Sequence, residues 1–207
     1  MHDSHHEPRP TTPDTERQHE AEPSPRPAIY VASLADYVNG RLHGVWLDAA
    51  RNPDDIHADI AAMLARSPEP GAEEFAMHDY DQFGHWRVGE YDSIEQISRI
   101  ARGIAEHGYA YAAWVETLDG DLDDIDPDSE ADAFNEDYLG HYGSVTDYAE
   151  QMADDLGYIA ELAKLPEYVQ QYTHIDYAAI ACDLEASGDI ATITNPDGGV
   201  WIFNANS

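Results

Sequence analysis

The sequence is short of cations. Of its 207 residues one is Lys and nine are Arg, against 42 Asp plus Glu, which leaves a formal charge of −32. A field this negative repels nucleic-acid phosphates and anionic membranes. It attracts proteins with basic clefts, over a distance set by salt. Direct nucleic-acid binding is thereby excluded. Cysteine is nearly absent: Cys182 stands alone, so there is no disulfide framework and a reducing cytoplasm is the expected setting. On its apolar helix face it reads as a buried small hydrophobe. No apolar run approaches the roughly 18 residues of a membrane span. The opening MHDSHHEPRPTTPD has no apolar core of a signal peptide. There is no Walker loop, no GxGxxG and no HExxH. Neither an enzyme nor a cofactor-binding protein is indicated.

What is present is acid, and it is concentrated. Glu116 to Asp137 reads ETLDGDLDDIDPDSEADAFNED, in which 11 of 22 residues are carboxylates and none is Lys or Arg. Like charges this close raise one another's energy. Dense acidic blocks are usually disordered tails, yet this one lies mid-chain between Tyr109, Trp114 and Tyr138. From Gly103 onward there are 23 acids and one base, Lys164, whereas the first 102 residues hold 19 acids and all nine Arg. A cation, a basic partner or a salty habitat could justify such a field.

The order of elements reads as α+β. Residues 1–27 carry six Pro and almost nothing apolar, and are expected to be a disordered tail. A strand over Ala28–Ala32, a turn at Asn39-Gly40 and a strand at Gly44–Leu47 follow. Asn52-Pro53 opens a helix bearing Ile56, Ile60, Met63 and Leu64. Phe75–Tyr80 reads as a strand. Ser93 with Gln96 forms a capping box for a helix ending at Gly108. Tyr109–Val115 is apolar throughout and fits a strand or a helix. A short helix suits Asp128–Tyr138, Ser144 caps another that stops at Gly157, and Pro166 opens a further one. Ile175–Leu184 continues helically. The chain closes as a hairpin about Asp197-Gly198-Gly199. The expected domains are 28–91, 92–137 and 138–207, each a small unit of short antiparallel strands and helices, with the central one helical and acidic.

Three constellations compete for the acidity. Asp119, Asp121 and Asp123, with Glu130 twelfth in the count, mimic the ligand order of an EF-hand calcium loop. The match fails at position six, which holds Asp124 where the sharp turn needs Gly, and at position nine, which holds Pro127. His78-Asp79-Tyr80-Asp81 with His85 offers metal ligands or an acid and base, but at no zinc spacing and with no nucleophile to pair. Salt adaptation would coat the whole surface, whereas here the bias follows residue 103. Mimicry of a polyanion remains. Eleven charges on 22 residues, at a helical rise of about 1.5 Å, would fall every ~3 Å, close to the ~3.4 Å between charges on one DNA strand.

Several blocks of the sequence also resemble the ArdA antirestriction family: Ile29–Tyr37 with Asn39-Gly40, Leu42–Ala49, Ala76–Tyr80, Gly89–Ile94, Asp137–Gly140, Tyr172–Tyr177, Ala181–Leu184 and Ser187–Asp189. The resemblance covers residues 28–204 and leaves out the tail. It implies a DNA mimic that inhibits type I restriction–modification enzymes by occupying the DNA groove of their specificity and methyltransferase subunits, so that entering mobile DNA escapes cleavage. It further implies an elongated homodimer of three small domains per chain, joined through the third, which places the dimer contact near Tyr138, Leu139 and Tyr142. The carboxylates expected to stand in for phosphates are Asp119, Asp121, Asp123, Asp124, Asp126, Asp128, Glu130, Asp132, Glu136 and Asp137, then Asp147, Glu150, Asp154, Asp155, Glu161 and Glu167. The runner-up readings are a calcium-binding protein using the Asp119–Glu130 loop and an acidic protein that sequesters some other DNA-binding protein.

Overall fold

Strand β1 (Ala28–Ser33) sits at the centre of the first sheet, with Ile29, Val31 and Ala32 fully buried. It pairs antiparallel with β2 (Gly44–Asp48) and β3 (Phe75–Asp81), in the order β2-β1-β3. The computed structural model describes residues 24–118, 122 and 125–206; the expected disordered tail, apart from residues 24–27, and Asp119, Asp121, Asp123 and Asp124 of the acidic stretch lie outside them. The β1–β2 connection holds more than a turn. A short helix, α1 (Leu34–Val38), is inserted before Gly40, whose φ of +74° suits only glycine comfortably. Ser33 caps α1, accepting a hydrogen bond from the Asp36 amide.

The predicted caps form. Asn52 accepts from Asp54 N at 2.9 Å to start α2 (Pro53–Leu64), and Ser93 accepts from Gln96 N at 3.1 Å to start α3 (Ile94–His107). Ile56, Ile60 and Met63 of α2, and Ile94, Ile97, Ile100 and Ile104 of α3, are buried. The chain then reverses at Gly108 into α4 (Tyr109–Thr117), buried continuously from Ala110 to Val115. The ambiguous apolar run is thus a helix packed on most of its surface. Gly103 of α3 leaves room for the Tyr111 ring of α4, since a Cβ there would lie 2.3 Å from it.

Helix α5 (Glu130–Asp137) leads into β4 (Tyr138–Tyr142), followed by α6 (Val145–Asp155), α7 (Tyr158–Leu162), α8 (Glu167–Gln170) and α9 (Tyr177–Ser187). The closing hairpin, β5 (Ile190–Thr194) and β6 (Val200–Asn204), completes a second antiparallel sheet of order β4-β6-β5. The period of two in β6 divides its side chains. Trp201 and Phe203 join the apolar cluster that runs back through α4 and α3 to β1, whereas Ile202 is buried outside that cluster. Ala149, Ala153 and Ala181 are the buried residues of the packed pair α6 and α9. Cys182, expected to be a buried hydrophobe, is exposed, because the inward stripe of α9 is Tyr177, Ile180, Ala181 and Leu184 and leaves Cys182 off it.

Among the described residues three carboxylates are buried, and each has a partner. Asp36 accepts from the Ser67 hydroxyl at 2.5 Å, and Arg41 lies 3.9 Å away while pairing with Glu69 at 2.7 Å. Glu130 pairs with Arg99, whose guanidinium also donates to the Ile125 carbonyl at 2.6 Å. Asp137 accepts from the Trp114 indole N–H at 2.8 Å. For Asp36, burial works to raise the carboxyl pKa. Hydrogen bonds from Ser67 and Ser33, with attraction from His43 and Arg41, outweigh it and hold the group below its usual 3.8.

Two predictions follow from these carboxylates. A depressed folded pKa adds stability that is present above the ordinary carboxyl value and lost as pH falls through the folded one. Thermal unfolding of Asp36→Asn should therefore show its full deficit near neutrality and a deficit that narrows below about pH 4. A deficit constant with pH would mean the charge contributes nothing. Glu130→Ala leaves the Arg99 guanidinium without its counter-ion and should cost about 3 kcal/mol in chemical denaturation, whereas the exposed Glu136→Gln should stay within about 0.5 kcal/mol.

Candidate functional site

Helix α6 shows how the acidic surface is made. Its buried alanines, Ala149 and Ala153, are four residues apart on one face, which turns Asp147, Glu150, Asp154 and Asp155 outward. Ser144 fixes the start by accepting from the Asp147 amide at 3.1 Å. Four charges over nine residues of helix, about 12 Å of axis at ~1.5 Å rise, average about 4 Å apart along it, in uneven steps of three, four and one residues. That is close to the charge spacing of one nucleic-acid strand. Glu161 on α7 and Glu167 at the start of α8 continue the exposed acids, and Asp126, Asp128, Asp132 and Glu136 present others on and before α5.

Of the 16 carboxylates expected to act as phosphates, 12 are described, and 10 of these are exposed. Glu161 pairs with Lys164 at 2.5 Å, and the other nine have no Lys or Arg partner among the described residues. Glu130 and Asp137 must be removed from the expected surface set. Their positions on α5 put them on the same inner side as Phe134, where Glu130 pairs with Arg99 and one oxygen of Asp137 accepts from the Trp114 indole. Sequence density could not separate them from their neighbours, because every second or third residue there is an acid. Exposed Asp183 and Glu185 on α9 were missed for the opposite reason: they stand singly in a mostly apolar run.

The expected dimer residues lie together on β4, an edge strand. Tyr138 is committed internally, its ring stacked on Phe134 at 5.2 Å and tilted against Phe203 at 5.6 Å. Leu139 is half-buried, and Tyr142 stands edge-on to Tyr148 at 5.1 Å while its hydroxyl donates to the Leu139 carbonyl at 3.3 Å. Burial pushes the Tyr138 and Tyr148 phenols up, and Tyr142 adds to both shifts. Large exposed apolar side chains of this segment cluster elsewhere, at Leu156, Tyr158, Ile159, Tyr168 and Tyr172.

The histidine constellation separates. His78 packs against Tyr37 with ring centres 4.6 Å apart, whereas His85 reaches Glu116 at 3.3 Å and stands edge-on to Trp201. Among the described residues no three His, Cys, Asp or Glu side chains gather as a metal site, and Asp119, Asp121 and Asp123 of the Asp119–Glu130 loop lie outside them. No helix among the described residues is long and apolar enough to cross a membrane.

No curated protein matches the chain. The profile of one family, described as antirestriction protein (ArdA), matches residues 29–196, most of the sequence and nearly all of the folded part. The exposed acids of α5 to α8 and both sheets fall within that match, apart from the closing strand. The chain belongs to the ArdA family of antirestriction proteins.

Proposed function

We propose that this protein mimics B-DNA and inhibits type I restriction–modification enzymes by occupying the DNA groove of their specificity and methyltransferase subunits. The observation that carries the reading is the set of nine exposed carboxylates with no Lys or Arg partner among the described residues: Asp126, Asp128, Asp132, Glu136, Asp147, Glu150, Asp154, Asp155 and Glu167. Unpaired surface acids spaced like phosphates raise the energy of the free protein and find compensation in a groove lined with Lys and Arg. The groove is already shaped for such an array. Binding of this kind displaces the groove's own counter-ions and weakens as salt rises. No catalytic step is involved: the inhibitor competes with DNA for one surface.

Two copies paired through the third segment would double the length of the array. The edge strand β4 supplies the contact, with Leu139 and Tyr142 as the residues offered, since the Tyr138 ring is already stacked between Phe134 and Phe203.

The test is ATP-dependent cleavage of unmodified plasmid by a purified type I enzyme with this protein titrated in. Inhibition near one dimer per methyltransferase core, relieved by competitor DNA or by salt, supports the reading. Changing any one of the nine acids to its amide should alter the inhibitory concentration by about twofold or less. Changing six together should weaken it by more than about tenfold, because the effect is a sum over many screened contacts. A single surface amide that abolishes inhibition while the protein stays folded argues for a specific contact instead. Saturable micromolar calcium uptake in calorimetry, with no inhibition, would transfer the assignment to cation binding.

A further inference from the structure

The first segment carries a surface unlike the phosphate-like one. Two hollows adjoin along β3, sharing Met77 and Glu90, and a third lies between α1 and the chain just before β3, at Leu34, Val38, Glu73 and Glu74. Tyr37 is 58% exposed, Val38 83% and Tyr91 72%. Tyr37 stands edge-on to His78, which props its ring outward at the mouth of a hollow floored by Met77 and Val88. Exposed carboxylates rim the hollows: Glu73 and Glu74 at one end, Asp79 beside Tyr80, and Glu90 and Glu95 at the other. No Lys or Arg lines any of them. Glu90 accepts a hydrogen bond from the Tyr91 phenol, which raises that phenol's pKa. Two histidines line the hollows: His57, whose Nε2 is 3.0 Å from Glu95, and His78 against Tyr37.

A surface that imitates phosphates has no use for exposed aromatic rings, and a solvated acidic face has no use for an apolar floor. The two together describe an anchor. We infer that the β3 hollows form a docking site for a basic amphipathic segment of a protein partner. Its apolar side chains fill the Tyr37–Met77–Val88 hollow, and its Lys and Arg meet Glu73, Glu74, Asp79 and Glu90. The choice of occupant rests on charge complementarity: an acidic or neutral segment would leave the rim unpaired, and a nucleic acid would be repelled by it. An Arg laid over the Tyr37 ring gains both the cation–π attraction and a neighbouring carboxylate. The inference stands independently of mimicry, because none of the phosphate-like residues takes part.

The experiment uses the full chain, isotopically labelled, with a synthetic amphipathic Leu–Lys peptide and a scrambled peptide of identical composition. At about 0.15 M salt, where distant charges are screened, the amphipathic peptide should bind about tenfold tighter than the scrambled one. Its amide shifts should centre on Tyr37, Val38, Met77 and Val88. The double variant Tyr37→Ser with Val38→Ser, both exposed positions, should remove most of that preference while leaving type I inhibition unchanged. Equal binding of the two peptides, shifts confined to α5 and α6, or an unaltered preference in the variant would each overturn the inference. A variant that fails to fold is replaced by Glu73→Gln with Glu74→Gln, for which the same loss of preference is required.

Discussion

Phe134 is the residue on which the two ends of the molecule depend. Its ring packs within 6 Å of His107 from α3, Tyr111 and Trp114 from α4, and Tyr138 from β4, and Tyr138 passes the contact on to Phe203 of the closing strand. Aromatic pairs in these tilted and stacked arrangements contribute beyond the area they bury. Here they join the core of the first sheet to one face of the second. The indole N–H of Trp114, directed at Asp137, sets the rotation of α5 about its axis, and Arg99 holds the other end through Glu130. With that rotation fixed, Asp132 and Glu136 can only point outward. The surface charge is thus positioned from inside, by rings and two buried carboxylates.

Charge repulsion acts against every compact state of a chain this acidic, so the fold depends on separating its apolar and acidic residues cleanly. In the first two thirds, isoleucines of α2 and α3 and residues Ala110–Val115 of α4 make a continuous core. The core is thinner beyond β4. There α6 and α9 are joined through alanines, and α7 and α8 bury no residue at all. The same third has Lys164 as its only Lys or Arg. Charge and stability pull in opposite directions at this end, where the acids are many and the core is small.

Much of the fold was legible from local rules. Asn52, Ser93 and Ser144 cap the helices they were expected to cap, Gly108 stops α3, and Asp197-Gly198-Gly199 turns the final hairpin. These signals work because each is satisfied within three or four residues. What was illegible depends on distant partners. Glu130 and Asp137 look identical to their neighbours until Arg99, 31 residues away, and Trp114, 23 residues away, are brought against them. Cys182 sits in a run whose apolar character comes mostly from alanine, too small to mark an inner face. Helix α1 was hidden behind an Asn-Gly pair that does turn the chain, but only after five helical residues. The exposed Tyr37, Val38 and Tyr91 carried no sequence signal, since an aromatic in an α+β chain reads first as core.

The absence of buried side chains in α7 and α8 has a consequence for the proposed fit of the acidic surface to a groove. Segments with few buried contacts open locally at a small fraction of the free energy needed to unfold the whole molecule. Glu161 and Glu167 therefore ride on turns that can shift without disturbing Ile202 or the sheets, while Asp147 to Asp155 stay fixed on α6. One part of the array is rigid and the other compliant. Under the proposed mimicry, a protein built in this way would fit clefts of differing width, the rigid acids setting its register and the compliant ones following the walls.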